Sequence, residues 1–267
     1  MVLPDQIAIA AQAGDVATVE AWLNEGGDVN ERSIHEDTLL LSCAATPGAR
    51  TTSHTDLVRL LIERGADVNI CAKEEPPGLG LSPLHYACDQ LVDHSPDMVA
   101  LLLDAKANVH CRAHAKPEDD EFPADTPLGV TLLGFHDQPH DQRSSAERFT
   151  TIPRIITMLL RAGASLDAVS DERTAEVELG EAEGQNPALR DSDTFVQVKA
   201  LIHGVRAAGS WKLYCRQDHK KILRLRSLVA RGRARERLTT SRAAKFIVRL
   251  GDNGVVWHIL SYWRETQ

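Results

Sequence analysis

A chain of 267 residues, 43% of them hydrophobic but only 4% aromatic, is long enough to bury a sizeable core, and that core must be built mainly from Ala, Leu and Val. It contains no stretch of the roughly 18 consecutive apolar residues that a membrane-spanning helix needs, and its five scattered cysteines (Cys43, Cys71, Cys88, Cys111 and Cys215) make no disulfide framework. The net charge of −8 conceals a division: residues 1–210 hold 16 Lys/Arg against 34 Asp/Glu (−18), and residues 211–267 hold 14 against 4 (+10).

Such asymmetry points to charged partners, within the chain or outside it. The first residues carry neither the basic start nor the apolar core of a secretory signal. With reduced thiols, this predicts an intracellular protein, cytoplasmic or nuclear.

In chain order, residues 5–25 read as a helix pair joined at Gly14 and Asp15, with Trp22 pointing into the seam and Gln6 and Glu20 facing solvent. Gly26-Gly27-Asp28-Val29-Asn30 closes the pair, the glycine supplying the left-handed turn that ends a helix. Thr38, eight residues beyond Asn30, opens a short helix over 39–45. A loop over 46–53 follows, Thr55 and Asp56 restart a second helix, and Gly65-Ala66-Asp67-Val68-Asn69 closes the unit.

The next connection takes 13 residues, from Asn69 to Ser82. Ser82 then caps a helix in which Pro83 occupies the first turn, where its missing N–H costs nothing. Met98, Leu101 and Leu102 recur at helical spacing. Lys106-Ala107-Asn108-Val109-His110 closes this unit with lysine where the others have glycine, which predicts a strained turn.

The connection from His110 to Thr126 takes 16 residues. Thr126 and Pro127 open a fourth unit, whose helices are separated by an insertion over 135–151 with no apolar period, predicted to be mobile. An apolar helix over 155–160 leads to Gly163-Ala164-Ser165-Leu166-Asp167. A decayed fifth opening over 174–179, a loop over 180–187 and an apolar helix over 194–208 follow, and Gly209 and Ser210 mark a border.

Beyond it, residues 211–238 read as a basic amphipathic helix, with Ile222, Leu225 and Val229 on one stripe and Lys220, Arg224, Arg231 and Arg235 on another. A final apolar segment over 255–263 places Val256, Ile259, Leu260 and Trp263 on one face. That face is expected to dock on the last repeats and to shield Trp257 or Trp263.

Two short helices cannot bury their apolar faces alone, and here the unit repeats. The string Ser82-Pro83-Leu84-His85-Tyr86-Ala87, with the four closing units, resembles the ankyrin repeat and its T-P-L-H-x-A signature. The resemblance covers roughly residues 5–208. It implies an all-α solenoid of helix-turn-helix repeats with extended finger loops: an ankyrin repeat domain over 1–208, about five repeats with the last degenerate, and a basic helical extension over 209–267.

The resemblance also implies a non-catalytic protein–protein interaction module, a scaffold or adaptor, that binds through finger tips and inner helices. The candidate contacts are His35 and Glu36 in the first finger, Lys73, Glu74 and Glu75 in the second, Glu118, Asp119, Asp120, Glu121 and Phe122 in the third, and Tyr86 on an inner helix. Their acidic balance favours a basic or mixed partner. His85 stands at the ankyrin histidine position, which implies hydrogen bonds to backbone that tie adjacent fingers. Thr38, Ser82, Thr126 and Thr174 read as helix caps and not as nucleophiles.

Other chemistries fare less well, and no cofactor, metal or catalytic residue is assigned. Gly78-Leu79-Gly80 follows no strand, so it is a finger turn and not a phosphate loop. Cys111 with His114 and His136 with His140 have metal-like spacings, but a whole helix separates the two pairs and places them at its opposite ends. No serine sits at a G-x-S-x-G elbow.

The basic tail has the clustered cations that a phosphate-rich polymer, a nuclear import receptor or a calmodulin-type partner would accept. It lacks interleaved aromatics for base stacking, and its plain reading is a solvated face lying against the acidic repeats. Residues 250–262 look like the opening helix of an F-box, though an F-box runs some thirty residues further. Leu225 and Leu228 resemble part of a SOCS box, with Val229 in place of its cysteine. These resemblances imply the alternative of a ubiquitin-ligase substrate adaptor, and a nucleic-acid-associated or nuclear protein is the third reading.

Overall fold

Helices of two turns with hydroxyl caps and one apolar face must stack to be stable, and this dictates the architecture. The computed structural model describes residues 2–46, 51–72, 80–89, 91, 94–113, 125–136, 145–167, 169–170 and 173–231. Among them the helices are α1 (Asp5–Gln12), α2 (Val16–Asn24), α3 (Leu39–Ala44), α4 (Thr52–Glu63), α5 (Pro83–Asp89), α6 (Ser95–Asp104), α7 (Pro127–Leu133), α8 (Ser145–Arg161), α9 (Ala175–Gln185), α10 (Asp193–Ala208) and α11 (Trp211–Ala230), with a 3₁₀ turn over Pro187–Asp191. The only β pairing among the described residues is an isolated bridge between Ser170 and Arg173, so the described fold is all-α, a solenoid of stacked helix pairs.

The chain divides into two compact units, residues 1–202 and 203–267. In the first, α1, α3, α5, α7 and α9 pack successively as an inner column, and α2, α4, α6 and α8 form an outer one. The seams hold Leu39, Leu40, Leu41, Leu57, Leu61, Leu84, Met98, Leu102, Leu128 and Leu132, all fully buried. The fourth residue of each closing unit, Val29, Val68, Val109 and Leu166, is also buried.

Local signals act as their chemistry requires. Thr38 accepts from the Leu41 amide (3.3 Å), Ser82 from His85 (3.4 Å), Thr126 from Gly129 (3.2 Å) and Thr174 from Val177 (3.4 Å). The closing glycines Gly26, Gly65 and Gly163 have φ of +98°, +88° and +101°, and Lys106 takes the same turn at +69°. A side chain there is strained by about 1–3 kcal/mol.

Several boundaries differ from the sequence reading. Helix α4 begins at Thr52, not at Thr55, because the Thr51 amide donates to Nδ1 of His54 (3.2 Å) while Nε2 of His54 donates to the Gln12 carbonyl (3.0 Å). Helix α8 begins at Ser145 and runs through Pro153, so the insertion expected over 135–151 is structured at both ends. Its Thr151 hydroxyl donates to the Leu91 carbonyl (3.1 Å) and Ile152 is buried, while Phe135 packs edge-to-face on Phe195 with ring centres 5.1 Å apart.

Helix α9 continues across the predicted loop to Gln185. Gly180 and Gly184 each weaken it by about 1 kcal/mol, but burial of Ala175, Leu179 and Ala182 holds it. Glu183 adds ion pairs to Arg190 (2.7 Å) and to Lys199. Trp22 does not enter the seam; it is half-buried, and its ring lies on Gly27, where a Cβ would come within 2.5 Å of it.

In the second unit the end of α10 turns at Gly209 (φ +84°) into α11. The Tyr214 ring lies on Gly204, where a Cβ would meet it at 2.5 Å, and Trp211 is 5.8 Å from Tyr214. Lys220, Arg224 and Arg231 are exposed, as the predicted basic stripe requires. The side chains of Ile222, Leu225 and Val229, and all of residues 232–267 with Arg235, Val256, Trp257, Ile259, Leu260 and Trp263, lie outside the described residues, so the tail-docking expectation and both ligase-box resemblances fall there too.

Two substitutions should move stability in opposite directions. Lys106→Gly relieves the left-handed strain and should stabilise by about 1 kcal/mol net of glycine's own entropy. Gly129→Ala would set a Cβ 2.2 Å from the Val169 carbonyl oxygen and should cost about 1–3 kcal/mol or more. Urea denaturation of both variants checks the pair of signs.

Candidate recognition face

Finger loops project wherever the backbone is anchored at two points and free between them. Each finger is closed by one backbone hydrogen bond: Ser33 amide to Asp37 carbonyl (2.9 Å), Ala72 to Leu81 (2.9 Å), Ala113 to Asp125 (3.0 Å) and Val169 to Arg173 (2.8 Å). The added length of the second and third fingers is therefore inserted between anchors that every finger shares.

Adjacent fingers are tied to each other. The Asn30 side chain accepts from the Asp67 amide (2.8 Å) and donates to the Gly65 carbonyl (3.2 Å), and Asn69 accepts from the Asn108 amide (2.8 Å). Buried His85 does the same at the inner column. Its Nδ1 accepts from the Ser82 amide (3.1 Å), and its Nε2 donates to the Asp125 carbonyl of the next finger (3.0 Å). Burial pushes its pKa down to about 4, so at pH 7 the ring is neutral, as the accepting Nδ1 demands.

Of the expected contact residues, the structure places His35 exposed at the first finger's tip and Glu36 half-buried beside it, at φ +65°. Both terminal guanidinium nitrogens of Arg32 brace this finger, Nη1 donating to the Glu36 carbonyl and Nη2 to the Cys71 carbonyl (3.1 Å). Tyr86 is half-buried on α5, and its phenol is pushed up to about 12, first by burial and then by the charges of Asp37 and Asp89. Burial also raises the Asp37 carboxyl, against the pull of His35 and Arg32.

The first finger and α5 thus share one electrostatic neighbourhood. Lys73, Glu74, Glu75, Glu118, Asp119, Asp120, Glu121 and Phe122 lie outside the described residues. The sequence reading missed Ile34, which is 65% exposed at the fingertip, together with Asp37 and Asp89. A lone isoleucine inside the polar run Ser33-Ile34-His35-Glu36-Asp37 was the available signal.

The metal-like pairs are used otherwise where they are described. Nδ1 of His136 bonds the Gln185 side chain (3.1 Å) and its Nε2 lies 3.6 Å from Glu178, which is 1% exposed and also faces Arg173 at 3.7 Å. Glu178, assisted by Gln185, raises the His136 pKa against the effect of burial. Among the described residues no group of three or more His, Cys, Asp or Glu is placed to hold a metal ion, and no helix is long and apolar enough to cross a membrane.

Residues 7–113 match the family described as ankyrin repeats, in three copies. The structure continues the same stacking beyond them through α7, α8 and α9. The human ankyrin repeat and MYND domain-containing protein 1 is 31% identical over 138 residues, which are 51% of this chain and 13% of that protein. The matched stretch is thus a small part of that relative's length.

His85 and His136 together should give stability a maximum near pH 6.5. His85, with its pKa lowered from 6.5 to about 4, contributes fully above 6.5, and roughly 3 kcal/mol is lost as pH falls to 4. His136, with its pKa raised, contributes fully below 6.5 and loses its share as pH rises through the raised value. Urea titrations from pH 4 to 9 should show His85→Gln flattening the acid limb and His136→Gln the alkaline one.

Proposed function

We propose that this ankyrin repeat protein is a non-catalytic scaffold or adaptor that holds another protein, of basic or mixed charge, against its fingers and inner helices. Ankyrin repeats are in general interaction modules without catalysis of their own. The observation that carries the reading is the first fingertip. Ile34 and His35 are exposed on a finger whose Asp37 carboxylate, together with that of Asp89, acts on the phenol of Tyr86, an apolar residue and acidic groups of the kind that protein partners use.

In this reading residues 1–208 are the binding domain and 209–267 an accessory extension, in a cytoplasmic or nuclear protein. By sequence, Lys73 to Glu75 of the second finger and Glu118 to Phe122 of the third add charge that suits the same partner. A second reading rests on α11, whose exposed Lys220, Arg224 and Arg231 would favour an anionic surface such as nucleic acid. The ubiquitin-ligase adaptor remains the alternative carried by sequence resemblance alone.

Affinity capture with the full chain and with residues 1–210, read by mass spectrometry, identifies the partner, and calorimetry then tests the face. Ile34→Ala and Tyr86→Ala should each weaken binding about tenfold or more with little change in melting temperature. Neutralising Glu118, Asp119, Asp120 and Glu121 should weaken it in a salt-dependent way. Capture that requires residues 211–267 and ignores Ile34 and Tyr86 would transfer the function to the tail.

A further inference from the structure

We propose that Cys71 and Cys111 are an oxidation site: a thiol pair that closes to a disulfide and staples the base of the second finger to the third. Counting two residues from the closing asparagine, Arg32 in the first finger and Cys71 in the second hold the same position. Arg32 reaches forward from it to the Cys71 carbonyl (3.1 Å), and the Cys71 thiol reaches forward from it to Cys111, sulfur to sulfur 3.7 Å. This position is a finger-to-finger link, and at the second junction both ends of the link are thiols.

The geometry and access suit bond formation. A disulfide needs sulfurs about 2.05 Å apart, and these two, already in contact at 3.7 Å, must come closer by side-chain rotation and loop movement for the bond to form. Both cysteines are half-buried and open to a small oxidant, whereas Cys43 and Cys88 are fully buried and Cys215 belongs to the other unit. The hydrogen bond to Cys111, followed by burial, holds the Cys71 thiol well above the ordinary range. Attack is therefore slow at neutral pH and quickens as pH rises.

The oxidant is a small-molecule disulfide. One cysteine, as thiolate, attacks a sulfur of the oxidant, whose S–S bond breaks and releases one thiolate, leaving a mixed disulfide on the protein. The second cysteine thiolate attacks the protein sulfur of that mixed disulfide, forms the Cys71–Cys111 bond and expels the second small thiolate. The protein sulfurs lose two electrons to the oxidant, and the two cysteine protons end on two small thiols. The bond is internal to the chain and does not depend on what the fingers bind.

The test uses the full chain at low concentration with oxidised glutathione at pH 8, followed by alkylation of remaining thiols, digestion without reduction and mass spectrometry. The expected result is a Cys71–Cys111 cross-linked peptide as the dominant product, removed by dithiothreitol and accompanied by a higher melting temperature than the reduced protein. Cys71→Ser and Cys111→Ser should each abolish the link, and Cys215→Ser should leave it. The wild-type peptide map decides the matter even if a variant folds poorly. Both thiols still open to alkylation, separate glutathione adducts on each, or a link to Cys215 or to a second molecule would overturn the proposal.

Discussion

Bare backbone groups at the ends of very short helices are the constraint on which the rest of this structure depends. Helices α1, α3, α5 and α7 have eight, six, seven and seven residues, so most of their amides and carbonyls lie within a turn of an end and lack a partner inside the helix. They lie in buried seams, where an unpaired group costs about 1–3 kcal/mol. Each helix pair therefore needs polar partners from its neighbour as much as it needs apolar cover. From α3 onward a hydroxyl caps the amides at the start of each inner helix, and an imidazole or amide spans between neighbouring units.

The stack meets that need with different chemistry at each junction. His54 reaches back from α4 to the Gln12 carbonyl, and His85 reaches forward from α5 to Asp125. One repeat later the histidine position is Gly129, and Thr126 bonds the Val169 carbonyl directly through its amide (2.9 Å) and hydroxyl (3.1 Å). That carbonyl lies so close to Gly129 that only a residue without a Cβ fits. At that same junction a buried carboxylate, Glu178 of α9, also meets His136 just beyond α7. The apolar seams are much alike along the column, so what distinguishes one repeat from the next is this polar bracing.

Firm bracing at the finger bases leaves the tips free to carry recognition. The same closing hydrogen bond is kept whether a finger is short or long, so length and charge vary beyond it without disturbing the seams. At the first finger this arrangement holds an isoleucine and an imidazole in solvent, on the finger whose Asp37 acts with Asp89 on the half-buried phenol of Tyr86. Desolvation of the apolar group would supply affinity, and the carboxylates would set approach rate and charge preference. The acidic excess of residues 1–210 extends that preference over the whole stack.

The repeat itself was legible in the sequence because its determinants are local and recur. A hydroxyl before a two-turn apolar run, a glycine after the next run and a buried aliphatic two or three residues further specify caps, turns and seams with no knowledge of neighbours. The strain at Lys106 followed from comparing one copy with the others, and the bridge from His85 from the resemblance to the ankyrin repeat. The start of α4 at Thr52, the early start of α8 and the passage of α9 through two glycines were not legible. Each is decided by a partner far along the chain: Gln12 for His54, Leu91 for Thr151, and Lys199 for Glu183. The same holds for the electrostatic neighbourhood that Asp37, Tyr86 and Asp89 share, and for the meeting of Cys71 with Cys111. Short-range pattern therefore determined which elements form and how they repeat. Which side chains meet was decided only when the repeats stacked, because that depends on the register between adjacent fingers.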